Sequence, residues 1–132
     1  AHSEYNLEST PTKIFQIWII PDQAGQAPSW GAKPFPKGQL EGFVTLASGK
    51  AGDHESLSIR ADARVVAANL KAGESAEYRL DSGRRAYLVP ATGVIEVNGL
   101  RAHARDGVAI VDESVLRVTA IEDSEIVLVD VA

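Results

Sequence analysis

Apolar and polar residues alternate along much of the chain beyond residue 42. Leu116 and Val118 are separated by Arg117, and Thr119 follows before Ala120. Because neighbouring side chains of a β-strand point to opposite faces, this pattern predicts strands with one face in a core and the other toward solvent. No run of about 11 residues has a convincing helical period. The pattern therefore predicts an all-β protein.

Short strands recur at the spacing that is typical of an all-β barrel or sandwich. The ten predicted strands cover residues 42–47, 56–59, 63–70, 76–80, 85–89, 93–97, 100–102, 108–111, 116–120 and 125–131. Asn98 and Gly99 separate two of them, and both tolerate the positive φ angles of a two-residue type I′ hairpin. We predict a small antiparallel barrel. Alternation places these residues in its apolar, metal-free interior: Tyr78, Leu80, Leu88, Ile95, Val97, Ile110 and Leu128.

The N-terminal part of the chain has a different pattern. Residues 13–20, from Lys13 to Ile20, are rich in Ile and aromatic residues and end at Pro21, which predicts a further strand. Residues 22–40 are rich in Pro and Gly, which predicts an extended connecting arm. The predicted strand would expose a contiguous apolar surface, which monomers rarely tolerate. We therefore expect a homodimer through Lys13 to Ile20, exchange of this strand, or its folding back onto the barrel.

Composition excludes several functions. The formal net charge is −5, which argues against direct contact with nucleic acid or an anionic membrane. The longest apolar run, residues 17–20, is too short to span a membrane. Cysteine is absent, which excludes disulfides, a thiolate nucleophile and a cysteine zinc site. We expect a cytoplasmic protein. Methionine is absent even at position 1, so we expect that the chain starts after processing, cleavage or truncation.

The candidate chemistry lies at His2 and Glu4. Residues two apart on a strand point to the same side, so an imidazole nitrogen and a carboxylate can converge on one ion. This ligand pair suits Fe, Mn, Ni, Cu or Zn. Two ligands are too few for a tight site, and the other histidines, His54 and His103, are isolated in the sequence. The alternative is a frayed chain terminus with no bound metal.

Other polar and aromatic residues have plainer interpretations. Arg84 and Arg85 could bind an anion, but a solvent-facing turn between strands is the favoured interpretation. Trp18 and Trp30 could stack on a planar ligand, but packing in a core or an interface is favoured. His54 and His103 are predicted to lie in solvated loops.

Three segments carry a resemblance to a known family. Leu70 is followed by a glycine turn at Gly73. The motifs Y-x-V and G-x-x-E-V-N-G occupy residues 87–99, and D-G-V-A-I occupies residues 106–110. This order resembles a cupin, a double-stranded β-helix or jelly-roll barrel. With residues 16–21 and the pair Asp112-Glu113 added, the chain most resembles the C-terminal half of pirin-like proteins. These are two-cupin proteins that include bacterial quercetin 2,3-dioxygenase-like enzymes.

The resemblance gives the opening residues a meaning. In pirin-like proteins the N-terminal cupin holds one divalent transition metal (Fe, Ni, Cu or Mn) through a His-x-His pair and a later His-x-Glu pair. His2 and Glu4 match the later pair, and the earlier pair would lie upstream of Ala1. The C-terminal cupin of the family lacks a metal, and residues 76–80 likewise contain no histidine. We therefore expect no cofactor held by this chain alone.

The resemblance also implies the domain organisation and three functions. Residues 1–40 would be the end of the N-terminal cupin with a connecting arm, and residues 41–132 the C-terminal cupin. The favoured function is a non-catalytic cupin that supports a metal-dependent, quercetin 2,3-dioxygenase-like cupin. The first alternative is an active metal-dependent dioxygenase whose missing ligands come from another chain. The second is a protein-interaction module of a transcriptional co-regulator.

Overall fold

The computed structural model describes residues 2–35, 38 and 41–132. Within this described part of the chain, the regular structure consists of strands: β1 (Val44–Ser48), β2 (Leu57–Ser58), β3 (Ala63–Leu70), β4 (Ser75–Arg79), β5 (Arg85–Pro90), β6 (Val94–Val97), β7 (Leu100–His103), β8 (Val108–Ile110), β9 (Val115–Ala120) and β10 (Ser124–Val131). Every strand lies within two residues of a predicted one. No helix of the described residues is long and apolar enough to cross a membrane.

The strands form two sheets. The larger has the order β2-β1-β3-β10-β5-β8, and the smaller has the order β4-β9-β6-β7. Neighbouring strands are antiparallel except β1 and β2, which are parallel. This arrangement confirms the all-β cupin class as a pair of jelly-roll sheets. The predicted barrel is not closed, because no strand pairing joins the two sheets within the described residues.

The core lies between the two sheets. Leu128 of β10 is in register with Val66 of β3 and Leu88 of β5, and all three are at most 1% exposed. Removing a side chain of this size from water stabilises the fold by roughly 1.5–3 kcal/mol. Six of the seven predicted interior residues are buried, and Tyr78 is half-buried against the same core. Strand alternation therefore located the core correctly.

The hairpin at Asn98-Gly99 is formed as predicted. The φ angles are 46° at Asn98 and 85° at Gly99, and Val97 pairs with Leu100. The side chain of Asn98 also ties the turn to β9, because its Oδ1 accepts a bond of 2.9 Å from the backbone N–H of Arg117. The hairpin is thus fixed by both its backbone conformation and a side-chain bond.

The N-terminal segment differs from its prediction. Residues 13–20 form no strand, because no neighbouring strand of the described chain pairs with them. Asp22 contacts the body of the fold, where its N–H donates to the carbonyl of Arg60 over 3.0 Å. The connecting arm ends at Pro36, Lys37, Gln39 and Leu40, which lie outside the described residues. The homodimer through Lys13 to Ile20 stays a prediction.

The apolar side chains of this segment are largely exposed. The exposed fraction is 84% for Trp18 and 89% for Ile20. Trp30 is 92% exposed, so neither tryptophan packs in the core, and packing of either one in an interface stays a prediction. The reason is that the arm runs outside the two sheets, where no core surrounds it.

Candidate functional site

His2 and Glu4 come together with a residue that the sequence did not suggest. The Nε2 atom of His2 lies 3.6 Å from Oε1 of Glu4, so the two side chains share one side as predicted. The side-chain nitrogen of Gln16 lies 2.8 Å from the same Nε2 atom. The side chains of His2 and Glu4 are 58% and 53% exposed. Three polar groups therefore meet at one accessible point.

A turn centred on Asn6 brings Gln16 back to His2. The amide nitrogen of Asn6 donates to the carbonyl of Thr10 over 2.8 Å. Its Oδ1 accepts bonds of 3.0 Å from the backbone N–H of Glu8 and 3.1 Å from the hydroxyl of Thr12. Asparagine favours turns because its side chain can bond to nearby backbone groups. The reversal of the chain is thus encoded by one side chain.

The pair fits half of a transition-metal site. Two donors at neighbouring positions around one ion, each roughly 2.0–2.2 Å from it, are about 3 Å apart. The separation of 3.6 Å between His2 and Glu4 needs only a small adjustment to reach that value. The described residues contain no group of three or more His, Cys, Asp or Glu side chains that could hold a metal. His54 is exposed in a loop, as predicted, whereas His103 is exposed but is the last residue of β7, so its predicted loop position is wrong. A complete site would need further donors.

Arg84 forms a buried ion pair instead of facing solvent. Its Nε donates to Oδ1 of Asp130 over 2.6 Å, and its Nη1 donates to Oδ1 of Asp62 over 2.8 Å. The side chains of Arg84 and Asp130 are 7% and 1% exposed. The prediction of a solvent-facing turn was therefore wrong for Arg84, although the neighbouring Arg85 is exposed. Asp130 lies two residues after Leu128 and therefore on the same, inward face of β10. This position was the sequence signal that a buried carboxylate needs a buried cation as its partner.

Tyr78 joins the same polar layer from the opposite sheet. Its hydroxyl donates to Oδ2 of Asp130 over 2.8 Å. Burial raises the pKa of the Tyr78 hydroxyl, and the hydrogen bond to Asp130 raises it further. Every buried side-chain nitrogen and oxygen of the described residues has a hydrogen-bond partner. This layer is therefore a satisfied structural network between the sheets.

Two more carboxylates surround this layer. The hydrogen bond from Arg64, whose Nε lies 2.7 Å from Oδ2, lowers the pKa of Asp53, and the hydroxyl of Ser48 lowers it further. The hydrogen bond from Lys50 lowers the pKa of Asp62, with Arg84 as the second cause. Both side chains are therefore held in the charged form by their cations. Asp53, which lies next to His54 in the loop before β2, is therefore a structural residue.

Residues 45–131 match the protein family described as the quercetinase C-terminal cupin domain, and this match identifies the family of the chain. The chain belongs to the pirin-like, quercetin 2,3-dioxygenase-like family. A Pseudomonas aeruginosa protein, provisionally named a quercetin 2,3-dioxygenase, is 68% identical over 132 residues. A pirin-like protein of Caulobacter vibrioides is 61% identical over 132 residues. These matches cover 99% of this pirin-like chain and 57% of each relative.

Solved structures agree with this assignment. The crystal structure of YhhW from Escherichia coli superposes with a TM-score of 0.80 at 30% identity, covering 87% of this chain and 48% of that one. A second structure, of bacterial pirin YhhW in complex with nickel(II), gives a TM-score of 0.78 at 29% identity, with coverage of 86% and 48%. The pirin-like chain thus spans about half the length of the relatives it matches.

Proposed function

We propose that this chain is the cupin that supports a metal-bearing, quercetin 2,3-dioxygenase-like cupin, lends it His2 and Glu4, and catalyses no reaction alone. The observation that carries the proposal is the 3.6 Å separation of the His2 and Glu4 donor atoms, outside the core of the two sheets. The proposal assigns residues 1–40 to the metal-bearing cupin and its connecting arm, and residues 41–132 to the supporting cupin.

The donor atoms agree with the metal of a relative. Bacterial pirin YhhW has been crystallised with nickel(II), and an imidazole with a carboxylate suits nickel, iron, manganese or copper. A bound metal of this kind would supply a Lewis-acid centre for an oxygen-bearing substrate. His2 would bind the ion through the lone pair of a neutral imidazole nitrogen. Glu4 would add a negative charge that offsets part of the charge of the ion.

The exposed apolar segment supports the structural half of the proposal. Ile14 is 62% exposed and Phe15 is 49% exposed, and Trp18 and Ile20 are exposed further. Large contiguous apolar surfaces on otherwise ordinary proteins usually mark interaction sites. The same segment carries Gln16 and so lies beside the His2–Glu4 pair. We therefore expect the metal-bearing cupin to pack on this segment and to contribute the remaining ligands.

The experiment is a reconstitution from two polypeptides. This chain is mixed with the part of the Pseudomonas aeruginosa relative that has no counterpart in this chain. The mixture is separated by size-exclusion chromatography with nickel(II) present. We expect a one-to-one complex that retains nickel by elemental analysis. His2→Ala should lower the retained nickel at least tenfold. Loss of a residue that only hydrogen-bonds to a metal ligand already costs about 10–100-fold in metal affinity, and loss of a ligand should cost no less.

His54→Ala is the matched control, because His54 is an exposed histidine in a loop of the described chain. Its complex should retain as much nickel as the unmodified one. Failure of the two polypeptides to associate would contradict the supporting role. Association with the same nickel content in the His2→Ala complex would contradict the assignment of the ligand.

A further inference from the structure

The Asn98-Gly99 turn contains the residue pair that deamidates most readily in polypeptides. The backbone nitrogen of the residue after an asparagine can attack the side-chain carbonyl carbon, and glycine has no Cβ that hinders this approach. Asn98 and Gly99 are both exposed to solvent. Among the described residues beyond its chain neighbours, no atom lies within 4 Å of the position that a Cβ of Gly99 would take. The site is therefore open to water and free of steric hindrance.

The reaction is a cyclisation followed by a hydrolysis. The backbone nitrogen of Gly99 forms a bond to Cγ of Asn98, and the bond from Cγ to Nδ2 breaks. Nδ2 leaves as ammonia and takes the proton of the Gly99 amide. Water then opens the cyclic imide: cleavage of the new bond gives aspartate at position 98, and cleavage of the original peptide bond gives isoaspartate, which has an additional backbone methylene. Either product replaces a neutral amide by a carboxylate.

The folded hairpin holds the carboxamide of Asn98 away from this reaction. Nδ2 donates to Oε2 of Glu113 over 3.1 Å and to the carbonyl of Val115 over 3.0 Å. Oδ1 accepts a bond of 2.9 Å from the backbone N–H of Arg117. A carboxamide nitrogen has two N–H donors, so both are engaged. Cγ cannot turn toward Gly99, and Nδ2 cannot depart, while these bonds persist.

The same carboxamide extends the pairing of β6 with β9. Val97 is in register with Val118, and the backbone N–H of Asn98 donates to the carbonyl of Arg117 over 3.1 Å. In return, the N–H of Arg117 donates to Oδ1 of Asn98. The two residues thus exchange a pair of bonds, as a hydrogen-bonded pair of an antiparallel ladder does. The side-chain oxygen takes the place of a backbone carbonyl at the end of the ladder.

A carboxylate at position 98 cannot make this set of bonds. It has no N–H donor, so it would meet Oε2 of Glu113 and the carbonyl of Val115 as one acceptor facing two others. It would also repel the charge of Glu113. Asn98 and Glu113 form part of the wall of a cleft of about 230 Å³ that reaches the fully buried Leu116. Loss of these bonds should separate the hairpin from β9 and expose the cleft.

We propose that Asn98 is a deamidation site controlled by the fold. The amide stays intact while the hairpin is closed, reacts when the hairpin opens, and as a carboxylate keeps the hairpin open. β7 is an edge strand of the smaller sheet, and such elements open locally without global unfolding. The covalent change therefore records past openings irreversibly. This inference is independent of the metal and of the proposed function.

The first test measures deamidation at Asn98 by peptide mapping and mass spectrometry after incubation at mildly alkaline pH. The folded chain should react at least about tenfold more slowly than the chain unfolded in urea. Gly99→Ala should suppress the reaction in urea, where the fold plays no part. Failure of Asn98 to react in urea would overturn the site, and equal rates in the folded and unfolded chains would overturn its control by the fold.

Variants of Glu113 test whether its hydrogen bond protects the amide. Glu113→Ala should speed deamidation of the folded chain about fivefold, the factor that corresponds to one ordinary hydrogen bond. Glu113→Gln keeps an acceptor oxygen and should react at the unmodified rate. Glu122→Ala is the matched control, because Glu122 is an exposed glutamate of another turn, and it should also leave the rate unchanged. Equal rates in Glu113→Ala and Glu122→Ala would contradict the protective role.

The second test uses Asn98→Asp as a mimic of the product. Amide hydrogen exchange at Arg117 should be about tenfold faster than in the unmodified chain, because local opening of the hairpin exposes this N–H. The double variant Asn98→Asp/Glu113→Gln should recover slow exchange, since the glutamine amide can donate to the new carboxylate. Unchanged exchange at Arg117 in Asn98→Asp would overturn the claim that the product keeps the hairpin open.

Discussion

Arg84→Met should lower the free energy of unfolding by about 3–5 kcal/mol, which is the usual cost of breaking a buried ion pair from one side. The carboxylate of Asp130 is 1% exposed and accepts bonds from Nε of Arg84 and from the hydroxyl of Tyr78. Methionine fills a similar volume but leaves the charge without its cation. The loss of stability therefore comes more from the buried, unpaired carboxylate of Asp130 than from lost packing.

Urea unfolding followed by circular dichroism measures this loss. Arg85→Met is the matched control, since Arg85 is the next residue, is exposed, and should change stability by less than about 0.5 kcal/mol. The double variant Arg84→Met/Asp130→Leu should recover most of the stability, because apolar residues often replace a buried pair at little cost. Equal stability of Arg84→Met and Arg85→Met would show that the pair is not buried as described.

Gly93→Ala should cost about 2–5 kcal/mol, against about 1–2 kcal/mol for Gly83→Ala. The two glycines have nearly the same φ angle, 78° and 80°, so the backbone strain of alanine is the same in both. A Cβ atom at Gly93 would overlap the hydroxyl of Ser124 and the carbonyl of Asp123, whereas the space around Gly83 is open. The difference between the variants isolates the steric overlap from the strain.

Thermal and urea unfolding of both variants test this comparison. The Gly93 position lies where the turn after β5 meets the start of β10, so its variant should also loosen the pairing of these strands. Amide hydrogen exchange in β10 should rise in Gly93→Ala and stay unchanged in Gly83→Ala. Similar losses in the two variants would mean that Ser124 and Asp123 move aside without cost.

Residues 41–132 show how far alternation predicts a fold. A strand with one buried face has a period of two, and that period located every strand and nearly the whole core. The same logic failed for residues 13–20, because a run of β-favouring residues becomes a strand only where a partner strand pairs with it. Sequence pattern records the preference of Trp18 or Ile19 but not the presence of that partner.

Some contacts of the candidate site could be predicted from the sequence, and others could not. The approach of His2 and Glu4 could be predicted, because it depends only on the local geometry of an extended chain. The contact of Gln16 with His2 could not, because it depends on a turn between them that Asn6 creates. The phase of Asp130 indicated a buried carboxylate, but its pairing with Arg84 could not be predicted, because the two residues are 46 apart in sequence. Local patterns give local geometry, and long-range polar pairing follows only from the assembled sheets.

Oxygen consumption with quercetin is the most direct test of the central claim that this chain supports catalysis without performing it. The purified chain is incubated with quercetin, oxygen and, in turn, iron, nickel, copper and manganese. We predict no metal-dependent turnover, because an oxygen-activating site needs at least three or so firmly positioned protein ligands with open positions beside them. Metal-dependent turnover by the chain alone that is lost in the His2→Ala/Glu4→Ala double variant would contradict the account.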